Sequence, residues 1–133
     1  MNRIGIYLAI AVTLFVLDMV WLMWIARDWY QQGLSHLMAA RPSLLPAALF
    51  YLLFPVGLLI FAVLPGYQEG VAKAALMGAL FGFFAYATYD LTNLAILKDW
   101  PVGLSVLDVA WGTFAGSASS AAGVFAARLL QQG

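Results

Sequence analysis

Four apolar stretches, at residues 4–26, 44–64, 74–97 and 102–127, occupy most of the 133-residue chain. Each reaches the length of about 20 residues that a helix needs to cross the hydrocarbon core of a bilayer. Within that core every backbone N–H and C=O must be paired inside the protein, so runs of this kind fold as helices packed side by side. The chain is 65% hydrophobic and 9% charged, with a mean hydropathy of +0.93. So little polar surface cannot cover a soluble domain of this length. The sequence therefore predicts an all-α polytopic membrane protein. Its four transmembrane helices form an antiparallel bundle, a single domain over residues 1–133.

The same composition excludes several functions. There is no Cys, so disulfides, thiolate metal sites and a Cys nucleophile are out of consideration. Six basic residues balance six acidic ones, which leaves no basic face for nucleic acid. Neither a GxSxG motif nor a phosphate-cradling glycine loop nor a histidine-rich metal cluster occurs. Ser117, Ser119 and Ser120 fall among small residues with no nearby base. Enzymatic activity is left open by these observations, no cofactor is named by them, and no transition-metal centre is expected.

Four spans place both termini on one face of the membrane, here side A, opposite side B. The opening MNR and its apolar run could mimic a secretory signal. Asp18 interrupts that run and no small-x-small cleavage site follows Leu17, so the reading is a retained helix. Arg3, Lys73 and Arg128 fall on side A against Arg27, Arg41 and Lys98 on side B, a tie under the positive-inside rule. Cytoplasmic termini in a bacterial inner membrane are the working expectation. Residues 27–43 form a long connection in which Tyr30, Leu34, Leu37 and Met38 recur at helical spacing, as in a segment lying flat on side B. Trp29 and Trp100 read as interfacial anchors at that boundary, His36 as a surface histidine, and Pro55 as a proline that frees a carbonyl and kinks the second span.

Three acids lie inside the spans. Asp18, Asp90 and Asp108 sit at depths of about 12, 10 and 9 Å from side B at the rise of an α-helix, so they share one layer. A carboxylate at such depth costs several kcal/mol unless it is paired or put to use. Tyr86, Asp90 and Asn93 follow i, i+4, i+7 spacing and form a polar stripe that must face protein or water. LDMVW at 17–21 and LDVAW at 107–111 run in opposite directions through this layer. Trp21 then comes level with Asp108, and Trp111 with Asp18, so each indole could reach the opposite carboxylate if the first and fourth helices are neighbours. Ala74, Gly78 and Gly82, and likewise Gly112, Gly116 and Ser120, repeat every fourth position. Such small-xxx-small faces let membrane helices approach closely; here they would join the third and fourth spans toward side A and leave a pocket toward side B.

The candidate binding residues are thus Asp18, Trp21, Tyr86, Asp90, Asn93, Asp108 and Trp111, with Gly78, Gly82, Gly112 and Gly116 for helix packing. Like charges this close cannot all ionise comfortably. Four uses remain open: a hard-oxygen cation site, proton relay or acid/base work, recognition of a polar or cationic head group, and plain hydrogen-bonded helix association.

The combination LDMVWL, FY at 50–51, YATYDLTNLAILKDWP and DVAWGTF resembles a bacterial family of predicted four-helix membrane proteins, domain of unknown function two-one-seven-seven. The resemblance spans nearly the whole chain. It carries over Asp18, Trp21, Asp90, Thr92, Asn93, Trp100, Asp108, Trp111 and Gly112, and it implies fold and membrane location but transfers no activity. An association of the family with genes for fatty-acyl chain modification favours a lipid-related role. The expectation is an inner-membrane protein that binds a lipid head group or small amphiphile, as an accessory to lipid modification. A subunit of a larger membrane complex and an oligomeric proton- or cation-coupled transporter are the alternatives, with membrane lipid, a second copy or a membrane protein as partner.

Overall fold

A computed structural model describes residues 2–41 and 43–132. It contains α1 (Arg3–Val20), α2 (Arg27–Leu34), α3 (Leu44–Leu58), α4 (Leu64–Gly66), α5 (Val71–Ile96) and α6 (Val102–Gln132), with π-helical turns at Trp21–Ile25 and Leu59–Val63. The turns extend α1 and α3 into longer rods. Three helical stretches among the described residues are long and apolar enough to cross a membrane: Arg3–Ile25, Leu44–Gly66 and Val71–Ile96. The fourth expected span, α6, is 31 residues long but is not among them. It is rich in Gly, Ala and Ser, the residues its packing on α5 requires, and these dilute its hydropathy.

α1 opens on Asn2, whose side chain accepts from the Gly5 N–H at 2.9 Å and so satisfies one of the free N–H groups of the first turn. Ile6, Ile10, Leu14 and Asp18 follow at four-residue spacing on its buried face. The π-turn closes with the Ala26 N–H donating to the Trp21 carbonyl at 2.6 Å. One extra residue in a turn shifts the phase of the helix, and both Trp21 and Ala26 are buried as a result. α2 leaves from there and folds across the side-B end. It is shorter than the helical spacing through Met38 suggested, and Leu37 and Met38 are exposed beyond it.

Pro55 is buried within α3, which continues helically past it and widens into the π-turn at Leu59. Proline lacks the N–H that the carbonyl four residues back would accept. Nearby, the Tyr7 hydroxyl donates to the Leu52 carbonyl at 2.8 Å, tying α1 to α3.

α5 and α6 make the most extensive contact in the molecule, followed by α1 and α6. A Cβ added to Gly82 would overlap the Gly112 carbonyl, one on Gly78 would overlap the Gly116 carbonyl and the Ser120 hydroxyl, and one on Gly112 would run into the Tyr86 ring. The backbones touch because these positions carry no side chain. α3 and α5 behave differently: their close backbone approach is concentrated in the π-turn and α4, toward side A. Nearer side B the gap is bridged by rings, Phe54 lying 5.3 Å from Phe81 and 6.0 Å from Tyr86 between centroids.

The core consequently has two halves. Ile6, Ile10, Leu58, Val63, Ala74, Val124 and Ala127 form a fully apolar plug toward the termini. Toward side B the interior is aromatic and acidic. The exterior of the long rods is largely apolar, with Trp24 82% exposed and Ile4, Leu44 and Ile96 each more than three-quarters exposed, as lipid contact requires.

Candidate functional site

Asp18 is 5% exposed, and both of its oxygens are occupied. The Trp111 indole N–H donates to Oδ1 at 2.8 Å and the Tyr51 hydroxyl to Oδ2 at 2.8 Å. One carboxylate therefore joins α1, α3 and α6. A buried acid needs such partners, because an unsatisfied charged group in this setting costs several kcal/mol.

The reciprocal pairing expected of Trp21 and Asp108 is relayed rather than direct. The Tyr30 hydroxyl donates to Asp108 Oδ1 at 2.6 Å and accepts from the Trp21 indole at a longer 3.5 Å. The two indoles lie flat on each other, centroids 4.6 Å apart and planes 4° from parallel. The stack of Trp21 on Trp111 carries both halves of the arrangement. Tyr30 belongs to α2, outside the long apolar rods. Burial, and then its bond to Asp108, hold the phenol above its ordinary pKa, so it remains a donor.

Asp90 differs from the other two acids. It is 2% exposed, yet its Oδ2 has no hydrogen-bond partner. It forms part of the wall of a cavity of about 220 Å³, with Asp18, Asp108, Tyr30, Tyr51 and Trp100 also on the wall. Sharing Phe50, Tyr86, Tyr89 and Asp108 with this chamber is a second space of about 480 Å³, between α3 and α5, completed by Phe54 and Ala85. The first chamber carries all three acids, and the second is lined mainly by rings and Ala85, with Asp108 the acid common to both. Neither is lined by a Lys, Arg or His among the described residues.

Of the seven binding candidates, Asp18, Trp21, Tyr86, Asp90, Asp108 and Trp111 line the polar chamber and Asn93 lines neither space. Gly78, Gly82, Gly112 and Gly116 form the α5–α6 contact. Among the described residues no three acidic or histidine side chains converge closely enough to hold a metal ion. The hard-cation reading through Asp18, Asp90, Asp108 and Asn93 thus lacks a ligand set.

Sequence reasoning missed Tyr30, Tyr51, Tyr89 and the inward role of Trp100. Tyr51 was within reach: seven residues into its span it lies about 10 Å deep at the helical rise, level with an acid that needs two donors. Trp100 turns inward because Asp99 adopts φ 61°, a left-handed conformation that Asp tolerates better than most residues. Its ring then meets Tyr89 edge-on at 5.9 Å. Nothing in the residue pattern announces that reversal.

The profile of the predicted membrane protein family DUF2177 matches residues 3–125, which takes in every residue of both chambers. The chain belongs to this family. No curated protein and no solved structure matches it. Family membership accounts for the membrane location and leaves the chemistry of the site to be argued from its geometry.

Proposed function

We propose that the protein spans a bacterial inner membrane with four helices, α6 being the fourth, and binds a membrane amphiphile at its side-B end. The polar head occupies the chamber walled by Asp90 and Asp108, and the apolar chain lies in the space between α3 and α5. The observation carrying this reading is that the two spaces adjoin, with Phe50, Tyr86, Tyr89 and Asp108 in the wall of both. A polar chamber alone would suit a soluble ligand, and an apolar groove alone would be filled by bulk lipid. Side by side, they match a molecule with both parts. Asp18, Trp21, Trp111 and Tyr51 serve as the frame that fixes the chamber walls, and Asn93 has no part in binding. We take its role to lie beside lipid modification, presenting or sequestering such a molecule.

The competing readings find less support. The small-residue faces that would suit a subunit of a larger complex are engaged inside the chain, Gly78 and Gly82 against Gly116 and Gly112. A transport path would have to cross the apolar plug around Ile10, Leu58 and Val124.

Native mass spectrometry of protein extracted in mild detergent tests the proposal. One amphiphile retained per chain is expected, with Ala85→Trp, which fills the apolar space, abolishing retention. A wild-type protein that emerges bare, or an Ala85→Trp variant that retains the same molecule equally, contradicts it.

A further inference from the structure

Resting on the amphiphile reading, we infer the charge class of the head group: the chamber is built for a protonated primary amine. Trp111 and Tyr51 donate to Asp18, and Tyr30 donates to Asp108. These donors are directed into carboxylates and are unavailable to a ligand. Tyr86, Tyr89 and Trp100 carry the remaining donors of the wall, and against them stands the acceptor capacity of three acids, above all Asp90 Oδ2, buried and without a hydrogen-bond partner.

A phosphate, sulfate or carboxylate head would bring further acceptors and negative charge to a wall that carries three acids and no cationic side chain among its described residues. At the low effective dielectric of a membrane interior that juxtaposition is strongly unfavourable. A neutral hydroxyl could donate once but brings no positive charge to a wall of three acids. A primary ammonium brings three N–H donors and a positive charge, enough to satisfy Asp90 and reach Asp108 on the neighbouring helix. Tyr86, Tyr89 and Trp100, on the same wall, add ring faces of the kind that attract cations. A quaternary ammonium would meet those rings equally well but has no N–H for Asp90 Oδ2. The space, about 220 Å³, is several times the roughly 30 Å³ taken by one water, so it admits a head of several heavy atoms.

The amine could belong to an aminophospholipid or to a free long-chain amine, and the test separates the two. Full-length protein in a non-ionic detergent is titrated with dodecylammonium, dodecyltrimethylammonium, dodecanol and dodecyl phosphate, with the shift in thermal midpoint and the bound mass as readouts. The same protein in nanodiscs is offered phosphatidylethanolamine against phosphatidylglycerol. Dodecylammonium is expected to bind at least about tenfold tighter than the other three, the scale of one charge-assisted hydrogen bond. Asp90→Asn should remove that preference.

Selective retention of phosphatidylethanolamine would assign the amine to a lipid; selectivity for dodecylammonium alone would assign it to a free amine, and either supports the inference. Equal binding of all four dodecyl compounds, or preference for dodecyl phosphate or the trimethyl compound, overturns the amine assignment and leaves the amphiphile reading standing. Binding of none overturns the amphiphile reading itself. The comparison of ligands on the unaltered protein decides the matter even if Asp90→Asn fails to fold.

Discussion

Replacing Trp111 with Phe removes one donor from a carboxylate that has two. The Asp18 oxygen it served at 2.8 Å is left in a site only 5% exposed to solvent, where water cannot readily take its place. Loss of a donor to a buried acceptor costs about 1–3 kcal/mol. Interhelical hydrogen bonds measured in membranes average about 0.6 kcal/mol and reach about 1.7 kcal/mol. Asp18 belongs at the upper end of the membrane range, because its acceptor is a carboxyl and Phe also gives up part of the indole stack on Trp21. A loss of about 1.5–2.5 kcal/mol is expected, a factor of roughly 10–70 in the folding equilibrium. Titration of the purified protein with dodecyl sulfate in mixed micelles, followed by far-ultraviolet circular dichroism, reads this directly. Tyr51→Phe should cost a comparable amount through the other oxygen. In an Asp18→Asn background the cost of Trp111→Phe should shrink, because the charged acceptor is gone. An unchanged cost in that background, or none in the native one, would refute the account of Asp18 as the joint between α1, α3 and α6.

Gly82→Val should prevent close approach of α5 and α6 and cost more than about 2 kcal/mol, whereas Gly103→Ala, which meets nothing within 4 Å, should stay within about 0.5 kcal/mol; the same unfolding titration compares them. Gly70→Ala should lose about 1–2 kcal/mol from its φ of 116° alone, since the added Cβ has open space around it. Tyr30→Phe frees α2 from Asp108, and amide exchange over residues 27–34 should accelerate while α5 and α6 keep their protection. The same phenol is held protonated in the folded state. Its contribution is therefore present below the ordinary phenol pKa of about 10 and lost as pH rises past it, and Tyr30→Phe should weaken that alkaline decline in stability.

Much of the fold can be read from the residues because each long rod is a continuous apolar run, and the observed ends at Ile25, Gly66 and Ile96 fall within a few residues of those expected. The α5–α6 contact is equally legible, since Gly78, Gly82, Gly112 and Gly116 have no other reason to recur at that period. Trp111 and Asp18 were matched by depth alone, and depth sufficed because α1 and α6 are neighbours. Depth failed for Trp21 and Asp108, where Tyr30 from the segment outside the spans intervenes. That failure has a physical cause: helical rise fixes how deep a side chain lies, but not what a surface helix folds down onto it. The π-turn at Trp21–Ile25 and the reversal at Asp99 change phase and direction, and residue periodicity carries no sign of either. The distinction between a satisfied Asp18 and an unsatisfied Asp90 is likewise set by partners drawn from other helices.

The central claim is that one amphiphile lies with its head beside Asp90 and its chain between α3 and α5. Crosslinking with a phosphatidylethanolamine that carries a photoreactive diazirine in its acyl chain, followed by peptide mass spectrometry, tests it most directly. Adducts should concentrate at Phe50, Phe54, Ala85 and Tyr89 and be lost in Ala85→Trp. Adducts spread evenly over the outer surface, including the shallow groove at Phe15, Met19 and Met23, would contradict it.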